Sequence, residues 1–158
     1  MLWIAFTMTG MRISLSLKKR VRILEETVVF LNALSSEIKF SKNNIIKILS
    51  DLSSYKSLNN LLYLDCFASV TEYADFRNMW IAALKSFPYY KREEKEKMLQ
   101  LGNQLGVTDT DNQINTIKLF IVFFENYLNV AKAEYEKYGK TASLFGLFTG
   151  ASAFILLI

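Results

Sequence analysis

The sequence predicts an all-α protein, an antiparallel six-helix bundle with a C-terminal transmembrane helix and a short or truncated N-terminal membrane segment. Three observations carry this. One proline and six glycines among 158 residues are too few turn formers for a β-sandwich or barrel. Apolar residues recur at helical spacing across the middle of the chain. Residues 141–158 carry no charge at all. The expected organisation is a membrane segment over 1–17, a helical bundle over 18–140 and a transmembrane helix over 141–158.

The N-terminal stretch is apolar over 1–11, is interrupted by Arg12, and resumes at Ile13 before Lys18, Lys19, Arg20 and Arg22. A secretory signal would place its basic residues first, so that reading fails. A short span, a surface helix and a truncated span remain open. A first bundle helix follows over 21–40, with Leu24, Val28, Leu31, Leu34 and Ile38 on one stripe. A second covers 43–52, capped by the Lys42-Asn43-Asn44 stretch. The third is expected over 58–74, with Leu61, Leu62, Leu64, Phe67 and Ala68 inward. The fourth, over 75–87, is stopped by Pro88. The fifth runs over 91–105 and ends at Gly106.

Asp109 or Thr110 caps the sixth and longest helix, expected over 111–138. Its inward face would be Ile114, Ile117, Ile121, Phe124, Leu128, Ala131 and Tyr135, broadened by Phe120 and Phe123. The run Leu119-Phe-Ile-Val-Phe-Phe124 then marks the central helix of the bundle. The 18 uncharged residues at the C-terminus would reach about 27 Å as a helix, close to the hydrocarbon thickness of a bilayer, with Lys137 and Lys140 at the entry. Gly146 and Gly150, four apart, suit close packing of membrane helices. Basic residues flank the inner side of both apolar ends, so the positive-inside rule places the middle of the chain in the cytosol.

Composition removes several function classes. There is no histidine and one cysteine, Cys66, so zinc sites and Ser-His or Cys-His nucleophiles are excluded. Cys66 lies in an apolar stretch and reads as a buried, inert thiol. The carboxylate pairs Glu25-Glu26, Glu93-Glu94-Glu96 and Glu134 with Glu136 sit among lysines and arginines and read as solvated helix faces. No phosphate-binding glycine loop or nucleophile elbow is present. The net charge of +4 is ordinary surface chemistry and gives no nucleic-acid footprint. No cofactor, metal or small-molecule substrate is expected.

The segment that does look specified is Leu101-Gly-Asn-Gln-Leu-Gly-Val-Thr-Asp109, with Gln113 and Ile117 after it. A helix stop and a helix start in close succession make a tight corner. Gly102, Leu105, Gly106, Asp109 and Gln113, together with Glu37 and the basic face near 18–22, are the candidate partner-binding positions.

This corner, the Leu34-x-x-Glu-Ile-x-Phe40 stretch and the C-terminal Lys137-Tyr-Gly-Lys-x-x-x-Leu-Phe-Gly-Leu-x-x-Gly150 ending together resemble the stage III sporulation protein AB family of endospore-forming bacteria. The chain departs from that family at Asn44-Ile45, where a Pro-Leu pair is usual, and at its shortened, Arg12-bearing start. The family is similar to the F-type inner-membrane platform proteins of type II secretion and type IV pilus machines, whose cytosolic domains are six-helix bundles. The resemblance implies a non-enzymatic scaffold in the mother-cell membrane facing the forespore during engulfment. Its implied partners are a secretion-type ATPase and other membrane subunits of the stage III assembly, with homo-oligomers left open. The other reading is a membrane-tethered helical adaptor that binds a signalling partner outside any secretion apparatus.

Overall fold

The computed structural model describes residues 2–41, 43–68, 76–107 and 109–139. Every element among them is helical. In order they are α1 (Leu2–Phe40), α2 (Ile45–Ser53), two 3-10 turns (Lys56–Leu58 and Leu62–Phe67), α3 (Phe76–Ser86), α4 (Arg92–Gln104) and α5 (Thr110–Glu134), which ends in a π-helical turn (Tyr135–Gly139). The chain divides into two compact units, residues 23–127 and residues 1–22 with 128–158.

The first correction concerns the N-terminus. The expected membrane segment over 1–17 and the bundle helix over 21–40 are one uninterrupted 39-residue helix. The basic cluster between them changes the solvent the helix prefers, but charge does not break a backbone as Pro or a competing cap does. Among the described residues, no helix is long and apolar enough to cross a membrane, because Arg12 and the lysines at 18 and 19 dilute the apolar start of α1. The expected transmembrane helix over 141–158, with Gly146 and Gly150, lies outside the described residues.

The second correction is at the expected third helix. Over its described part it forms 3-10 turns. Leu58, Leu61, Leu64 and Phe67 are all buried and lie three apart, the period at which 3-10 side chains eclipse. The backbone agrees: Leu61 N–H donates to the Leu58 carbonyl at 2.9 Å and Leu64 N–H to the Leu61 carbonyl at 2.8 Å, both three-residue bonds. Leu62 and Ala68, expected inward, are exposed.

The remaining boundaries follow local chemistry. Asn44 caps α2, its Oδ1 accepting from Lys47 N–H at 2.8 Å, which leaves Ile45, Ile46, Ile48, Leu49 and Leu52 free to bury. Pro88 follows the end of α3. Glu94 folds back to accept from Lys91 N–H at 2.7 Å at the start of α4, the return half of a capping box. Its helix ends with Leu105 N–H on the Leu101 carbonyl at 3.0 Å, and Gly106 takes φ 74°, the left-handed conformation that glycine adopts without penalty.

The core of the 23–127 unit is aromatic. Trp80 lies 6.5 Å from Phe30, 6.0 Å from Tyr63, 5.9 Å from Phe67 and 5.9 Å from Phe76, measured between ring centroids. Helices α3 and α4 pack antiparallel: Trp80 Nε1 donates to the Met98 carbonyl at 2.8 Å, and nearer the turn Lys95 Nζ donates to the Lys85 carbonyl at 3.1 Å. Gly102 allows this approach, since a Cβ there would fall inside the Trp80 indole.

Helix α5 is not the enclosed central helix that its apolar run suggested. Ile117, Phe120, Phe124 and Ala131 are buried, Ile114, Ile121, Leu128 and Tyr135 half-buried, and Leu119, Val122 and Phe123 exposed. Two carboxylates expected on solvated faces are also buried, Glu26 and Glu94. Glu26 accepts from both Asn60 N–H, at 2.8 Å, and Asn60 Nδ2. It thereby pins the loop between the 3-10 turns to α1.

Candidate docking cleft

Two helix corners meet in the 23–127 unit. At the first, α1 closes with Ser41 N–H donating to the Glu37 carbonyl at 2.8 Å, and α2 restarts at the Asn44 cap. At the second, α4 stops at Gly106 and α5 restarts with Gln113 N–H on the Asp109 carbonyl at 3.0 Å. The second corner is tied across its own turn, because Gly106 N–H donates to Gln113 Oε1 at 3.2 Å. The Asp109 carboxylate accepts from Asn112 Nδ2.

Between the corners is a cleft of about 290 Å³. Ile38, Ile45 and Ile48 supply its apolar lining; Ser41, Asn43, Asn44, Thr110 and Gln113 supply hydroxyl and amide groups. Phe40 and Val107, next in sequence to the lining residues Ser41 and Gly106, are 76% and 64% exposed. Apolar anchors beside adaptable amides are what a protein-binding surface needs. A broader groove of about 610 Å³ lies between α1 and α5 and is lined in part by Asn32, Lys39, Phe40, Asp111 and Lys118.

Of the positions singled out from sequence, Gly106 and Gln113 line the cleft. Asp109 is exposed and serves the α5 start. Gly102 and Leu105 are buried and hold the α3–α4 packing and the α4 end. Glu37 is half-buried, and its neighbours Ile38 and Ser41 face the cleft in its place. Gly146 and Gly150 lie outside the described residues. Sequence reading missed Asn43, Asn44 and Thr110 as surface residues, although their capping signals were visible. Nothing along the chain says that two corners so far apart in sequence will sit together.

The interior polar groups are structural. Thr27 Oγ1 donates to the Ile23 carbonyl at 2.8 Å, so it accepts from Tyr90 OH at 2.6 Å. Tyr90 in turn accepts from Tyr63 OH at 3.2 Å. Each hydroxyl spends its one hydrogen, and the chain ends on backbone. Burial pushes both tyrosine hydroxyls above their usual ionisation range. Cys66 is half-buried, its Sγ donating to the Tyr63 carbonyl at 3.1 Å. Burial pushes this thiol up as well, which lowers its reactivity. No group of three or more Cys, Asp or Glu that could hold a metal ion occurs among the described residues.

Fold and surface thus define a helical protein whose described residues bring two helix corners together around a cleft. The model of the stage III sporulation protein AB family matches residues 1–158, the whole chain. The chain belongs to that family, and its role lies in stage III of sporulation. The family is described by its place in development and not by a reaction. A search of curated proteins and a search of solved structures each gave no match.

Proposed function

We propose that this chain is a non-enzymatic platform subunit of the stage III sporulation assembly, held at the mother-cell membrane facing the forespore and docking a secretion-type ATPase. The observation that carries the docking is the cleft between the two corners, flanked by exposed Phe40 and Val107. The uncharged run over 141–158 and the basic residues inside each apolar end support attachment with the bundle in the cytosol. A scaffold also accounts for a histidine-free chain in which the buried Thr27, Tyr63 and Tyr90 hydroxyls serve the fold.

Photo-crosslinking in sporulating cells tests this. A photoreactive residue at Val107 or Asn43 should capture the ATPase, while one at exposed Leu62, away from the corners, should not. A strain lacking the chain should fail in sporulation. Capture of a signalling protein in place of the ATPase, in a deletion strain that sporulates normally, would establish the membrane-tethered adaptor instead.

A further inference from the structure

The face of α5 turned away from the core carries Leu119, Val122 and Phe123, which are 63%, 54% and 39% exposed. Their directions fall within about 100° of one another around the helix, opposite buried Ile117, Phe120 and Phe124. One edge of this stripe is closed by Lys97, whose Nζ sits 4.3 Å from the Phe123 ring centroid. The other edge carries Lys118 and Glu125, both exposed. They are seven residues apart, so they lie on the same flank, about 10.5 Å apart along the axis. Neither makes an ion pair among the described residues.

We propose that α5 packs antiparallel against α5 of a second copy of this chain, about a two-fold axis at the level of Val122. The charges choose both orientation and register. In an antiparallel pair like flanks face each other. An axis midway between Lys118 and Glu125 sets each lysine against the glutamate of the other copy, twice over, as an isologous interface requires. The same axis stacks Leu119, Val122 and Phe123 of one copy on those of the other. A parallel pair would turn Lys118 toward the opposite flank, whose edge is closed by the like-charged Lys97. Sliding the antiparallel pair until the axis reaches residue 125 would set Lys118 against Lys132. Only one arrangement joins the apolar stripe to matched charge.

The test uses the full chain in mild detergent, with Cys66→Ser as background and the dimer read by light scattering. Val122→Cys, at the axis, should crosslink to its own copy with a short bifunctional maleimide. Val130→Cys should not, being about 26 Å from its copy. Lys118→Glu and Glu125→Lys should each weaken the dimer about tenfold, the order expected when two exposed ion pairs turn repulsive. The double exchange should restore it. A monomer at all concentrations, no preference for position 122, or a double exchange no stronger than the single ones would each overturn the proposal. So would protection of Val122→Cys from maleimide only on addition of lipid vesicles, since the stripe would then belong to the membrane.

Discussion

Single residues decide how closely the elements approach. At Gly102 the absence of a Cβ lets Trp80 lie on α4 and donate to the Met98 carbonyl. Gly102→Ala should therefore cost about 1–3 kcal/mol, as overpacked cores do. Gly106 has a different reason, its positive φ; Gly106→Val should cost about 1–2 kcal/mol through left-handed strain. Urea unfolding measures both. The two can be told apart by Trp80 fluorescence, which should change in the Gly102 variant alone. The helix stop at Gly106 was legible from sequence, because a glycine between two periodic segments is a local signal. The role of Gly102 was not, since its reason is an indole twenty-two positions away in the chain.

Among the elements, the 3-10 segment is the instructive case. Most of its leucines are legible as core, yet the backbone type is not, because a short apolar run admits several periods. The i, i+3 register of Leu58, Leu61, Leu64 and Phe67 puts four side chains inward and turns Leu62 out. Leu64→Ala should cost about 2–5 kcal/mol, whereas Leu62→Ala should stay within about 0.5 kcal/mol of the parent. Equal losses on thermal unfolding would contradict the 3-10 register and restore the α-helical one. Helix α5 shows the opposite situation. Its type, extent and inward face were legible, but not that Phe123, expected to broaden that face, would stay exposed beside Leu119 and Val122.

The whole molecule should show an unusual pH profile. No histidine is present, so little titrates between about pH 6 and 8 and stability should be flat there. Tyr63 and Tyr90 then dominate at high pH. Burial holds both neutral in the folded chain above the ordinary tyrosine range, while in the unfolded chain they ionise near about pH 10. Above that pH the unfolded state binds fewer protons, so stability falls, by about 1.4 kcal/mol per pH unit for each tyrosine. Stability measured in urea from about pH 8 to about pH 11.5 checks the sign. Tyr90→Phe should lower the neutral-pH value while making the alkaline slope shallower.

Read alone, the chain settles local matters: all-helical structure, the caps at Asn44 and Gly106, the stop at Pro88, most of the core and the motifs that mark the family. These follow from chemistry within a few residues, because caps and apolar periods act over one or two turns. Only the folded arrangement shows that α1 runs unbroken through its basic cluster and that Glu26 reaches across to Asn60. It also sets two distant corners side by side as a cleft, and leaves Leu119, Val122 and Phe123 uncovered on α5. Each of these depends on which surfaces meet in space, and burial is settled only by the partner that arrives.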